Sequence, residues 1–293
     1  MDKRKWIQLA AAVLYNIDAK GFITGTVSRS PLKNVCVPGL NCYSCPGAVS
    51  ACPLGSLQNT LAAGRFPFFV TGFLLLAGVV FGRAVCGFLC PFGFIQELLN
   101  KLPRLFAKTP EQKLRDKTAA VYRISRAASH IKYGVLAVFV IALPLAFYVR
   151  DGIASPYFCK WICPAGTLEA GVPLMIANEM LRSAAGALFN WKVFVLAVTV
   201  IWSAAVYRPF CRFVCPLGAL YSFFNRFAVF GVAVDTDKCT QCGRCVSSCR
   251  MDVRAVNDRE CIRCGECIAQ CPAGAIYMKT LKPASKQILK GRV

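Results

Sequence analysis

Apolar residues gather into four runs along the chain, at residues 6–27, 66–85, 131–149 and 193–207. A helix that crosses a bilayer needs about 20 mostly apolar residues, or somewhat fewer with charged flanks. Each run therefore predicts a membrane span. The first is interrupted by Asn16, Asp18 and Lys20, and the last is short but bracketed by Lys192 and Arg208. Residues 92–107, 167–190 and 218–231 carry charges among their apolar positions and predict surface amphipathic helices. Residues 231–237 and 255–260 predict short strands.

Composition agrees with this pattern. The chain is 56% hydrophobic and 17% charged, against about a quarter charged in soluble domains. Its 35 Lys and Arg outnumber 14 Asp and Glu, for a net charge of +21. These basic residues flank apolar runs and form no aromatic-studded domain, so nucleic acid is not the expected partner. They also orient the spans. Lys101, Arg104, Lys108, Lys113, Arg115, Lys117, Arg123 and Arg126 lie between the second and third runs, whereas residues 150–191 hold only Arg150, Lys160 and Arg182. The positive-inside rule puts both termini and the 86–130 loop in the cytoplasm, with the 28–65 and 150–191 loops outside. The start, Met1 to Lys5 and then an apolar run, has the look of a signal peptide. No small-x-small cleavage site follows before Asp18, so a retained span is expected.

Eighteen cysteines change the picture further. Cys239-x2-Cys242-x2-Cys245-x3-Cys249 is followed by Cys261-x2-Cys264-x2-Cys267-x3-Cys271-Pro272. This is the bacterial two-cluster ferredoxin run, in which three closely spaced thiolates hold one cluster and the fourth Cys serves the other. Cys239, Cys242, Cys245 and Cys271 are expected to bind one [4Fe–4S] cluster, and Cys261, Cys264, Cys267 and Cys249 a second. Tetrahedral zinc fits the paired spacing less well. Arg250 stands where a proline often follows the fourth Cys.

The phrase Cys-Pro-x-Gly-x-aliphatic recurs at Cys52, Cys90, Cys163 and Cys215, and again at Cys271. Three of the four membrane copies have another Cys four residues earlier, at Cys86, Cys159 and Cys211. Proline stops the preceding segment and glycine permits unusual dihedrals, so a thiolate can be presented at a turn. Span, outer cysteines, span and inner Cys-x3-Cys-Pro occur in that order twice, over residues 6–91 and 131–216. Such a direct repeat implies a pseudo-twofold axis along the membrane normal. Cys86, Cys90, Cys211 and Cys215 are then expected to bind a third cluster at the inner face. Cys52, Cys159 and Cys163 would meet at the outer face, with Cys45 or Cys42 as fourth ligand because Ala48 stands where the repeat would place a Cys. The spare outer cysteines, Cys36 among them, are either a disulfide or free. Small apolar packing is the alternative for all ten membrane cysteines.

Cys86-Gly-Phe-Leu-Cys90-Pro, Cys211-Arg-Phe-Val-Cys215-Pro and the run 239–271 together resemble the membrane polyferredoxins of the NapH, NosR and CcoG type, over about residues 65–280. The resemblance implies electron transfer at a prokaryotic inner membrane, often from quinol to an extracytoplasmic oxidoreductase. The third Cys-x3-Cys-Pro, at Cys159, and the dense group 36–52 depart from the common family pattern.

The expected protein is α-helical and membrane-embedded, with about four transmembrane helices, an internal direct repeat and a C-terminal α+β ferredoxin domain. The expected boundaries are 1–130 and 131–230 for the two membrane repeats, 231–280 for the ferredoxin domain and 281–293 for a basic tail. It would serve as the electron-transfer subunit of a redox complex, carrying four [4Fe–4S] clusters between a cytoplasmic ferredoxin or flavoprotein and an extracytoplasmic flavoprotein or membrane acceptor. Alternatives are a quinol dehydrogenase subunit and a redox assembly factor. A quinone or proton site at Asp18 and Lys20 is one reading of those intramembrane charges; a helix break or a mutual pair is the other. The single histidine, His130, excludes bis-histidine haem within the chain.

Overall fold

The computed structural model describes residues 3–28, 30–106 and 119–279. Lys108, Lys113, Arg115, Lys117 and the 281–293 tail lie outside them. The described chain is mostly helical. Among the described residues two helices, Ile124–Asp151 and Ala187–Ala205, are long and apolar enough to cross a membrane. The second predicted span appears as Phe68–Phe81, 14 residues opened by Pro67 and closed by Gly82 at φ 51°. At 1.5 Å per residue it reaches only about 21 Å. Within Ile124–Asp151 the segment Leu136–Ala142 is a π-helix lying just before Pro144. Proline supplies no N–H to the helical ladder, and the bonding shifts register around it.

The first predicted span is not one helix. Lys3–Tyr15 is helical, the chain breaks at Asn16, and a short helix follows at Lys20–Thr24. The break has a partner. Tyr15 C=O accepts from Val49 N–H, Gly47 C=O accepts from Asp18 N–H, and the Asn16 amide donates to Asn41 Oδ1. The cysteine-rich loop thus folds inward and replaces the helical bonds of residues 16–19. Of the readings open for Asp18 and Lys20, the structure contains the helix break.

The C-terminal unit is framed by a two-stranded antiparallel sheet, β1 (Gly231–Val234) and β2 (Ile276–Lys279), with Gly231 opposite Lys279 and Val234 opposite Ile276. The strand expected at 255–260 is a turn. Asn257 has φ 64°, and the Asp258 carboxylate accepts from the N–H groups of Arg254 and Arg259. Side-chain capping of this kind competes with a strand ladder.

This unit is bolted to the helices by buried charge. Glu260 meets Arg83 at 2.6 Å and Lys132 at 2.5 Å, both cations being fully buried. Arg212 meets Asp252 at 2.5 Å. Arg263 donates to the carbonyls of Phe81, Phe230 and Asn225, and the Asn225 amide donates to those of Asp258 and Cys261. A second buried node ties the N-terminal helix to Pro91–Phe106. Glu97 receives both Arg4 guanidinium nitrogens at 2.7 and 2.9 Å, Arg208 at 2.6 Å and the Tyr207 hydroxyl at 2.5 Å.

Burial by itself would raise the Glu97 carboxyl, but Arg208, Arg4 and the Tyr207 hydroxyl hold it at about 2. A depressed carboxylate stabilises the fold above its unfolded value, by about 3 kcal/mol here. That contribution should be complete above about pH 4.5 and lost as pH falls towards 2. Thermal stability of the wild type and of Glu97→Gln should differ at neutral pH and converge in acid; curves that stay parallel would remove Glu97 from this role.

Candidate functional site

Each of the four membrane Cys-Pro phrases makes the same local structure. Cys52, Cys163 and Cys215 are N-caps with extended backbone, and proline occupies the first helical turn behind them. Proline fits there because its missing N–H would have no intrahelical partner. Cys90 likewise precedes the helix Pro91–Phe106. The upstream cysteines sit at the centre of three matching five-residue helices, Ala84–Phe88, Tyr157–Trp161 and Pro209–Phe213. In these four copies the glycine is not needed for dihedral freedom, since none of Gly55, Gly93, Gly166 and Gly218 has positive φ, and at Gly55 and Gly93 it is needed for space. A Cβ on Gly55 would lie 2.6 Å from the Tyr43 ring, and one on Gly93 would lie 2.9 Å from the Arg208 guanidinium.

A cavity of about 360 Å³ is lined by Cys42, Cys52, Cys159 and Cys163, with Leu54 and Phe158 as apolar wall and Lys160 and Lys192 among its polar groups. Of the two residues left open as fourth ligand, Cys42 borders this space; Cys45 is buried beside Lys33 and Glu169. Cys36 pairs through its backbone with Ala51, and no two cysteines among the described residues are joined in a disulfide. Burial pushes Cys52 up to about 11, against the opposing N–H groups of Gly55, Leu54 and Asn41, and also raises Cys42 and Cys163. A bare thiolate is costly there, and bound iron would supply the compensating positive charge.

Cys86, Cys90, Cys211 and Cys215 are all buried and share one electrostatic neighbourhood, in which Cys215 feels each of the other three. The inner and outer sets were expected at opposite membrane faces. They are instead adjacent. The Leu40 N–H faces Cys90 and the Asn41 N–H faces Cys52, and a Cβ on Gly39 would lie 3.0 Å from Cys90 Cα. Tyr221 lies between the sets, in the fields of Cys86 and Cys90 and of Cys36 and Cys52. The inward fold of the 36–52 loop closes this gap.

In the ferredoxin unit the two cysteine runs wind alike. Gln241 and Arg263, each two residues after the first Cys, have φ of 54° and 55°, and Gly243 and Gly265 follow at 71° and 81°. Such left-handed turns aim successive N–H groups inward, as anion-binding loops do. Cys249, Cys261, Cys264 and Cys267 line one small cavity, bordered also by Cys245. Cys239 and Cys242 neighbour Cys245, Cys242 being exposed, and Cys271 Sγ accepts from Ala275 N–H. Arg250 reaches Glu266 at 3.6 Å and the Tyr207 ring at 5.5 Å. The ferredoxin unit also touches the inner set, since a Cβ on Gly87 would lie 2.2 Å from the Ile262 carbonyl oxygen.

The donor sets fit iron–sulfur clusters. Zinc would draw four sulfurs to within about 3.8 Å of one another. The outer four thiols instead border a cavity of about 360 Å³.

Comparison with known proteins agrees. A 4Fe-4S binding domain model matches residues 63–110, 133–172 and 188–232, each segment holding one Cys-x3-Cys-Pro, and a second model of the same description matches 232–254 and 255–277. The chain belongs to the ferredoxin-type polyferredoxins. Relatives of this polyferredoxin include an uncharacterized protein of Methanocaldococcus jannaschii, 28% identical over 181 residues, 61% of this chain and 56% of that protein. The ferredoxin-type protein NapH of Escherichia coli is 28% identical over 203 residues, 67% of this chain and 59% of NapH. The methylamine utilization ferredoxin-type protein MauN of Paracoccus denitrificans is 25% identical over 178 residues, 60% of this chain and 50% of MauN. The chain thus spans little more than half the length of these relatives. No solved structure matches it. The cofactors of this polyferredoxin are [4Fe–4S] clusters.

Proposed function

We propose that this polyferredoxin is an integral membrane electron wire with four [4Fe–4S] sites in a row. The observation that carries the reading is the pair of successive amides, Leu40 facing Cys90 and Asn41 facing Cys52, which brings the inner and outer sites within one peptide of each other. Behind the inner site, Gly87 admits the Ile262 carbonyl, so the segment carrying Cys86 abuts the one carrying Cys261. Cys245, at the border of the second ferredoxin cavity, adjoins Cys239 and Cys242. Clusters at these sites would each take and pass one electron with no bond made or broken in the protein. The chain's own task is to hold its sulfurs in line and keep water from them.

Membrane residence is supported by the outward-facing apolar residues. Phe69, Leu75, Leu76, Leu145, Val149, Phe194, Val198 and Ile201 are exposed, whereas Arg83, Arg208, Gln58 and Gln96 are buried. An apolar exterior over a polar interior suits lipid. The proposed arrangement keeps the direct repeat with its four membrane-embedded segments, Lys3–Tyr15 and Phe68–Phe81 being too short to cross the full core without thinning it. The ferredoxin unit is placed in the cytoplasm, where exposed Cys242 marks the entry for a soluble redox partner. The acceptor is an oxidoreductase subunit docking at the cavity that Lys160 and Lys192 border.

The test uses vesicles that contain the purified protein with ferricyanide trapped inside and reduced ferredoxin outside. Wild type should bleach the trapped oxidant. A Cys86→Ser/Cys211→Ser variant should not, although its two ferredoxin clusters still accept electrons. Equal bleaching by both would refute the wire.

A further inference from the structure

The position six residues after each membrane Cys-Pro cysteine carries a polar side chain: Gln58, Gln96, Glu169 and Tyr221 follow Cys52, Cys90, Cys163 and Cys215. All four turn towards the cysteine sets. Glu169 accepts the Cys42 N–H at 2.6 Å, and the Tyr221 hydroxyl donates to the Pro38 carbonyl at 2.9 Å. The two glutamines, both wholly buried, make identical contacts in different sites. Gln58 Oε1 accepts the N–H of Phe158 at 3.0 Å, and its Nε2 lies 3.5 Å from Cys159 Sγ. Gln96 Oε1 accepts the N–H of Phe210 at 3.2 Å, and its Nε2 lies 3.0 Å from Cys211 Sγ. In each case the amide nitrogen also approaches the carbonyl four residues back, at 3.5 Å. The backbone N–H fixes the orientation, because a donor must face the amide oxygen and leaves the NH₂ group pointing at sulfur.

We infer that Gln58 and Gln96 are positioning residues that set the reduction potentials of the outer and inner sites, each donating one N–H to a cysteine sulfur from the opposite repeat. This rests on the reading of four cluster sites. A donor to a ligand sulfur stabilises the more negative, reduced form more than the oxidised one. Each glutamine therefore raises the potential of its own site. The same contact links Cys52 to Cys159, and Cys90 to Cys211, through six residues of helix, less than two turns, and one amide.

Methionine matches glutamine in length but has no donor. In Gln96→Met, a redox titration followed by electron paramagnetic resonance should show the inner cluster shifted to lower potential, with the ferredoxin clusters unmoved and iron and sulfide per chain unchanged. Gln58→Met should shift only the outer cluster. Unmoved potentials at full iron content would overturn the inference, since a merely structural glutamine predicts that result. A measurement without any variant covers a failure to assemble. With ¹⁵N-labelled glutamine, double resonance on the reduced wild-type protein should detect a coupled side-chain nitrogen at each of the two clusters, and its absence would also overturn the inference. If wild type holds iron for only two clusters, the four-site reading fails first and this inference falls with it.

Discussion

Replacing Cys42 with alanine should remove about four iron atoms per chain, and replacing Cys45 should remove none. Both thiols lie in the same short loop and both adjoin Glu169. They differ in what they face. Cys42 borders the cavity with Cys52, Cys159 and Cys163, and its sulfur lies 3.6 Å from where a Cβ on Gly166 would sit. Cys45 is turned towards Lys33 and the backbone of Gly47. Wild type should hold about sixteen iron atoms, the Cys42→Ala and Cys159→Ser/Cys163→Ser proteins about twelve. Cys36→Ala should match wild type. The measurement is iron and acid-labile sulfide on purified protein. Iron lost from Cys45→Ala but retained in Cys42→Ala would reverse the assignment, and about eight atoms in wild type would leave only the ferredoxin pair.

The second large effect is expected at Glu260. Glu260→Gln leaves two fully buried cations, Arg83 and Lys132, without their carboxylate. Removing one partner of a buried ion pair costs about 3–5 kcal/mol, because the remaining charge stays desolvated. The loss falls on the joint between ferredoxin unit and helices. Arg83 also donates to the carbonyls of Arg259 and Cys211, so one side chain braces both the docked loop and the inner site. The variant should release the ferredoxin unit to trypsin and lower the temperature of unfolding, while a detached unit would keep its own two clusters. A protease pattern and melting temperature equal to wild type would show that Arg212, Asn225 and Arg263 suffice to hold the joint.

Several features of the chain are visible in its local spacing. The eight ferredoxin cysteines follow a pattern that works within a few residues, because a thiolate, a left-handed turn and the next thiolate wrap one small object. The helix starts behind Cys52, Cys163 and Cys215 follow from Pro at the first helical position. The polar residue six places after each Cys-Pro was also present in the repeat, and only the direction it points was hidden. Gln58 looks like any surface glutamine until the opposite half of the molecule arrives at its amide.

By itself, then, the sequence determined the apolar runs, the ferredoxin unit, the repeated Cys-Pro turns and the chemistry of iron–sulfur binding, all consequences of short-range geometry and of transfer from water. The tertiary structure decided which of Cys42 and Cys45 borders the outer cavity, that the first apolar run breaks at Asn16, and that the inner and outer cysteines are neighbours. Those outcomes depend on the loop 36–52 packing against Tyr15 and Cys90, far away in the chain. Hydropathy describes where each segment prefers to be, whereas contact between a loop and a distant helix depends on backbone groups whose partners no local pattern names.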